Sequence, residues 1–262
     1  MDRGRRLRRW LPLALMAAVA ASAVTAGSLR LVVTECALGG LAAPLRVLVL
    51  SDFHAPRFTF TLARYRHLAA QARPDLVLIL GDSIDIAGAE ERVVELYGAL
   101  SAPLGKFAIL GNHEHWHGID LAALARAYER AGVRLLVNER VTLRHAGGPL
   151  LLYGLDDGSR RWAPELVTPG AKATLALAHR PASAAALAAR LGPHGMALSG
   201  HTHGGQVALF GWAPHTPPGS GSFVRGWYEV AGRPLFVTPG LGNVGLNLRL
   251  GVRPTMVALV LQ

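Results

Sequence analysis

The residues Gly200-His201-Thr202-His203-Gly204-Gly205 place two imidazoles two positions apart between glycines. Side chains of the same chemical kind recur along the chain, each time directly after an apolar run. Asp52 and His54 follow 45–50, Asp82 follows 75–80, Asn112 and His113 follow 106–110, His179 follows 173–178, and His201 and His203 follow 195–199. All are nitrogen or oxygen donors and none is a thiolate. Such a set suits manganese, iron or zinc better than a soft ion, and it is too rich in histidine for calcium or magnesium. Asp52, Asp82, Asn112 and the four histidines 54, 179, 201 and 203 exceed the roughly four ligands of one tetrahedral zinc. They are enough for two ions if one carboxylate is shared. Two ions about 3.5–4 Å apart form the clamp of phosphoryl chemistry, and water held between them becomes a nucleophile near neutral pH.

Buried strands position these groups. Leu45–Leu50, Asp75–Leu80, Lys106–Leu110 and the run before His179 are continuous apolar stretches, as strands covered on both faces must be. Helical patterns fall between them: about Thr61 to Ala72, stopped by Pro74; about Ala89 to Leu100; about Leu121 to Ala131. An alternating run near Ser28–Cys36 precedes them as a first strand. After residue 131 the pattern turns mostly to strands, interrupted by the Ala-rich helix that opens at Pro181. Expected strands there include Arg134–Asn138, Val141–His145, Pro149–Leu155, Gln206–Phe210, Ser222–Val230, Pro234–Thr238 and Thr255–Leu261. Helix–strand alternation followed by a strand-rich half predicts two packed sheets with helices outside. Strand ends are where such folds build sites.

The segments Ser-Asp-Phe-His (51–54), Gly-Asp-Ser-Ile-Asp (81–85), Gly-Asn-His-Glu-His-Trp (111–116), Ala-His-Arg-Pro (178–181) and Gly-His-Thr-His-Gly-Gly-Gln-Val (200–207), in this order, resemble the five motifs of the calcineurin-like metallophosphoesterases. With Gly240-Leu241-Gly242 near the end, the sequence is most similar to the membrane-anchored bacterial branch. That branch includes exported phosphoesterases and UDP-2,3-diacylglucosamine pyrophosphatases. The resemblance implies a four-layer α/β/β/α sandwich and hydrolysis of a phosphate mono- or diester by a metal-bridging hydroxide. It places Asp52, His54 and His203 on one ion, Asn112, His179 and His201 on the other, and Asp82 between them. His113 would contact the phosphate and protonate the leaving oxygen. Manganese is the favoured metal. A lipid-linked nucleotide is the alternative substrate, and a non-catalytic scaffold of the same fold, which would have lost its ligands, is the alternative of another class.

Asp85 and Glu114 are read as orienting imidazoles through their second nitrogen. Asp156 and Asp157 are read as a structural turn first and a rim of the site second. His67, His145, His194 and His215 lack partners in sequence and are left as background, and His115 and His117 as loop histidines near the mouth.

Net charge is +10 over 262 residues. The first nine residues contribute five arginines against Asp2, leaving about +6 for the body. No Arg-rich helix or basic–aromatic alternation is present, so no nucleic-acid partner is expected. Trp10–Leu29 carries no charge after that basic head, which predicts residues 1–29 as a signal peptide or membrane anchor. The arginines place that end in the cytoplasm and the body (30–262) outside it, at the bacterial inner membrane or exported. Cys36 is the only cysteine, which excludes an internal disulfide and a cysteine zinc cage. Oligomeric state is not read from the sequence.

Overall fold

The computed structural model describes residues 22, 24–158, 173–209 and 212–262. Most of the segment expected as a signal peptide or anchor (1–21 and 23) lies outside the described residues. Among the described residues no helix is long and apolar enough to cross a membrane.

Twelve strands form two six-stranded sheets. The first contains β1 (Arg30–Cys36), β2 (Leu45–Leu50), β3 (Leu76–Leu80), β4 (Lys106–Ile109), β5 (Val133–Leu135) and β12 (Thr255–Leu261), in the order β1-β12-β2-β3-β4-β5. Strands β2 to β5 run parallel, while β12 lies antiparallel to β2 and β1 lies parallel to β12. The second sheet contains β6 (Glu139–His145), β7 (Gly148–Gly154), β8 (Ala173–Leu177), β9 (Gly195–Ser199), β10 (Gly226–Val230) and β11 (Arg233–Val237), in the order β10-β11-β9-β8-β7-β6. Its four central strands are parallel, and β6 and β10 are antiparallel edges.

The continuous apolar runs are explained by burial on both faces. In β2, Val47 and Val49 point into the core between the sheets, while Leu48 and Leu50 point to the outer layer. In β8, Leu175 and Leu177 face inward and Ala176 faces outward. The outer face of the first sheet is covered by α1 (Leu62–Ala72), α2 (Glu91–Tyr97) and α4 (Leu121–Arg130), through Tyr65, Leu68, Leu96, Leu124 and Tyr128. The outer face of the second carries α5 (Pro181–Ala188), whose Ala184 and Leu187 sit on Ala176 and Val237. The four layers are therefore α/β/β/α. Alanines on β8, β9 and α5 let that helix lie close to its sheet.

Three local expectations are corrected. The run Gln206–Phe210 is not a strand; among its described residues only isolated bridges form, Val207 with Leu250 and Leu209 with Trp212. The chain leaves the His203–Gly205 turn with positive φ at Gly205 (86°) and Gln206 (53°), so it cannot extend into a ladder. The strand expected from Ser222 begins only at Gly226, because the backbone N–H groups of Val224 and Arg225 donate to the Tyr228 hydroxyl instead of a neighbouring strand. Asn112–Trp116 forms a short helix, α3, where only a strand end was expected.

Candidate metal centre

Strands β2, β3, β4, β8 and β9 all end at one edge of the sandwich, and the polar clusters meet there. Asp52, His54, Asp82, Asn112, His179, His201 and His203 are all buried. Five of them, Asp52, His54, Asp82, His201 and His203, have φ between 49° and 73°. Left-handed backbone is uncommon for residues with a Cβ, and such conformations concentrate at functional sites where the surroundings hold them. Strands β2, β3 and β9 thus end in a sharp reversal that turns these side chains toward the common centre.

Neighbouring backbone must come very close for this to work. A Cβ on Gly200 would lie 1.9 Å from Ser51 Oγ and 2.6 Å from Asp52 Oδ2, and one on Gly111 would lie 2.2 Å from Asp82 Oδ1. Only glycine fits at either position. The carboxylates are pinned by these approaches. His201 N–H donates to both Asp52 oxygens (2.9 and 3.1 Å), Ser51 Oγ–H donates to Asp52 Oδ2, and His113 N–H donates to Asp82 Oδ1 (2.9 Å).

Four overlapping donor groups result among the described residues; two of them are centred on Asp52, His54 and His203 and on Asp82, His179 and His201, and the other two join His113 to His54 and Asp82 and to Asp85 and His117. The imidazoles are fixed from behind. His54 Nδ1–H donates to Asp85 Oδ1 (2.6 Å), His179 Nδ1–H to the Leu80 carbonyl (2.7 Å) and His201 Nε2–H to the Pro218 carbonyl (2.9 Å). His203 Nδ1 faces the Gly242 carbonyl at 3.3 Å. An acceptor at one ring nitrogen commits that nitrogen as the donor and leaves the other as a lone pair. The inward nitrogens nevertheless face one another: His54 Nε2 lies 2.9 Å from His203 Nε2, and His201 Nδ1 lies 3.2 Å from His179 Nε2. Two acceptors hold that distance only when a proton or a cation lies between them. Asp82 connects the clusters through a single atom. Its Oδ2 is 3.6 Å from His54 Nε2 and 3.1 Å from His179 Nε2. Asn112 Oδ1 is buried with no hydrogen-bond partner, an acceptor that a cation would satisfy.

The electrostatics agree. Burial works against a charge on His179, but the Asp82 carboxylate beside it, helped by Asp52, raises it to about 10. Burial and the neighbouring His179 push His201 down to about 3. Burial and His54 likewise hold His203 well below the usual range. Despite burial, His179 and His54 hold the Asp82 carboxyl well below the ordinary range. An ionised Asp82 carboxylate, the neutral imidazoles of His201 and His203 and an orphaned amide oxygen fit a divalent cation, while His179 holds a proton against the carboxylates where a cation would replace it.

His113 is half-buried beside the clusters, with Nδ1 2.7 Å from Asp85 Oδ1, an ion-pair distance whose angle falls short of a hydrogen bond. Asp85 therefore serves two rings, and Arg57 holds its second oxygen (3.1 Å). Glu114 is corrected in its role. It touches no imidazole; its carboxylate accepts from the backbone N–H groups of Asp82 (3.0 Å), Ser83 (2.6 Å) and Gly111 (2.8 Å). It ties the end of β3 to the start of α3, and burial and then Asp82 raise it to about 7.

Three residues were missed by sequence reasoning. Arg249 is fully buried and forms no salt bridge among the described residues. It donates to the carbonyls of Pro239 (3.0 Å) and Gly242 (3.1 Å from Nε), and its Nη2 lies 3.2 Å from His203 Nδ1. Arg180 links Asp157 (2.9 Å to each oxygen) to the Pro218 carbonyl (3.1 Å) that steadies His201, and its guanidinium lies over Trp116. His215, set aside as background, lines the cavity above the clusters. His115 binds Asp156 (2.8 Å), away from the centre, while the His117 ring stands 4.9 Å from that of His113. Single side chains whose partners are distant carbonyls leave no signal in sequence.

The cavity has a volume of about 280 Å³, and Asp82, Asn112, His113, His201 and His203 form its floor. A larger hollow of about 390 Å³ lies at the opposite end of the first sheet, near Arg66, Arg73 and Ser101, and no histidine lines it.

Residues 45–205 match the family model described as calcineurin-like phosphoesterase. The chain is 31% identical over 229 residues to the uncharacterized metallophosphoesterase YkuE of Bacillus subtilis, covering 83% of this chain and 79% of that one. It is 31% identical over 232 residues to the phosphodiesterase YaeI of Escherichia coli, covering 84% and 83%. It is 30% identical over 241 residues to a bovine transmembrane protein with metallophosphoesterase domain, covering 83% of this chain and 53% of that protein's length. Buried Asp/His clusters suited to two metal ions, at the strand ends that the matched motifs occupy, make this chain a phosphoric ester hydrolase of the calcineurin-like metallophosphoesterase family.

Proposed function

We propose that the chain hydrolyses a phosphodiester with the help of two divalent cations. Asp52, His54 and His203 would hold one, Asn112, His179 and His201 the other, and Asp82 both. The observation that carries this reading is the position of Asp82 Oδ2, within 3.6 Å of an imidazole nitrogen from each cluster. Bound there, two such ions supply an activated water near neutral pH and neutralise charge on the phosphoryl oxygens. The chain's own part is to keep the donors aimed. Asp85, Leu80 and Pro218 fix the rings, and Glu114 holds the backbone of Asp82. His113 opens onto the cavity with Nδ1 against Asp85, which leaves Nε2 to meet the leaving oxygen. Manganese is the ion we favour, since the donors are nitrogen and oxygen without thiolate. A diester is favoured over a monoester because the relative YaeI is named a phosphodiesterase.

The compartment belongs to the same reading. The basic head and uncharged run of residues 1–29 support an anchor in the bacterial inner membrane with the body outside the cytoplasm. The bovine relative is named a transmembrane protein, which is in keeping with it. The test is hydrolysis by the full chain, stripped of metal and reloaded with manganese, of a chromogenic aryl phosphodiester and the matching monoester. Turnover restored by manganese and abolished in Asp82→Ala is the expected result. Turnover independent of added metal, or surviving in Asp82→Ala, would overturn the reading.

A further inference from the structure

Around the mouth of the cavity stand apolar side chains that remain largely exposed among the described residues. Leu246 is 73% exposed, Trp212 68%, Trp116 62% and Leu209 51%. With Val244 they make up five of the eleven large apolar side chains exposed among the described residues. Their loops are held in place. Gln206 Nε2–H donates to the carbonyls of Val244 (3.0 Å) and Leu246 (3.3 Å), and Gln206 Oε1 accepts from Val244 N–H (2.9 Å). Leu209 and Trp212 exchange two backbone hydrogen bonds of 2.9 Å. Apolar groups held outward around a catalytic mouth need a partner, because soluble chains rarely leave such a patch in water.

The topology says what that partner is. Strand β1 runs parallel to β12, which runs antiparallel to β2, so β1 starts at the edge where β2 ends in Asp52 and His54. The chain before β1 therefore emerges beside the mouth. Thr59 Oγ1–H donates to the Ala26 carbonyl, and Asn243, one residue before the rim residue Val244, donates to the Arg57 carbonyl in the same loop (3.2 Å). The described end of the uncharged run, 24–29, thus lies on the face that carries the rim. Arginines gather at the same place. Arg253 donates to Ser28, and Arg253 and Arg225, after burial, depress the pKa of Arg30 by their proximity. None of the three has a carboxylate partner among the described residues.

We infer that the mouth of the cavity rests on an anionic lipid surface, with Leu209, Trp212 and Leu246 among the headgroups and Arg30, Arg225 and Arg253 against lipid phosphates. The inference rests on reading residues 1–29 as an anchor, and it makes the substrate a phosphate ester taken from the bilayer surface. Apolar side chains and tryptophan favour that interface, and basic residues near it are drawn to anionic headgroups.

The experiment uses the full chain reconstituted into vesicles of phosphatidylcholine and phosphatidylglycerol, in a Cys36→Ser background. An environment-sensitive fluorophore is attached at Leu246→Cys or, as control, at Ala146→Cys in the β6–β7 turn at the far end of the second sheet. Brominated lipid is the quencher. The proposal expects flotation with the vesicles and quenching of the Leu246 label at least severalfold above the Ala146 label. Flotation with equal, weak quenching of both labels would leave the anchor standing and overturn the docking. Failure to float would overturn both together. Self-quenching between Leu246 labels without quenching by lipid would assign the rim to a second copy of the chain and also overturn it. Hydrolysis of the soluble diester, followed in the same vesicles, reports on the hydrolase reading separately.

Discussion

The two donor clusters are built alike in front and differently behind. Asp52, His54 and His203 have charged groups behind them as well as the Gly242 carbonyl: the Asp85 carboxylate on His54 and the Arg249 guanidinium beside His203. Asp82, His179 and His201 are backed by neutral carbonyls of Leu80 and Pro218. A carboxylate behind an imidazole makes the ring a stronger ligand, while a nearby guanidinium weakens it. The first cluster is therefore tuned by ionised side chains, and a single substitution changes its electronics. The second is set by backbone that other residues must hold, so its failures are failures of position.

Asp82 belongs to both, and its loss is the largest effect expected. Asp82→Ala lowers kcat/KM for the diester by at least about a thousandfold, the loss of several kcal/mol of charge stabilisation, and reduces the metal content of both clusters. Steady-state kinetics with metal analysis checks this; loss of one ion alone would confine Asp82 to one cluster. His113→Asn, which leaves the clusters intact, lowers kcat by about 10²–10⁴ with metal content unchanged. Metal loss in that variant would make His113 a ligand.

The contrast between the clusters is sharpest at Asp85. Asp85→Asn weakens the first ion by about 10–100-fold in a metal titration and leaves the second unaltered. Equal weakening of both would mean that charge behind the rings does not separate them. Smaller effects come from the two arginines. Arg249→Met leaves the Pro239 carbonyl unpaired in the interior and the Gly242 carbonyl with only its longer contact to His203, costing about 2 kcal/mol and about 4–8 °C in Tm. Arg180→Met acts on a partly exposed group, so the Tm falls less, and its effect is on the second ion through Pro218 and His201. Thermal melts and metal titrations rank the two, and a larger Tm loss in Arg180→Met would reverse the ordering.

The sandwich and the meeting of the motifs were legible because burial on both faces writes continuous apolar runs, and each run stops at its polar cluster. His179 was legible from its place at a strand end, although no second donor flanks it. Glu114 was misread because a carboxylate beside a histidine in sequence suggests an imidazole partner, whereas α3 turns it back onto the backbone of β3. Arg249 was invisible, since its partners are carbonyls seven and ten residues away in a loop without periodicity. The Gln206–Phe210 run alternates like a strand, but the left-handed turn before it sends the chain across the mouth instead. The loops, where local pattern fails, are also where the exposed apolar side chains Leu209, Trp212 and Leu246 lie.

In the proposed centre one carboxylate oxygen, Asp82 Oδ2, joins two ions. Electron paramagnetic resonance of the full chain titrated with Mn²⁺ tests it most directly. The account predicts two equivalents bound and the multiline spectrum of a spin-coupled pair in the wild type. In His203→Ala it predicts the simple six-line spectrum of an isolated ion. Saturation at one equivalent, or two equivalents with no coupling, would contradict it.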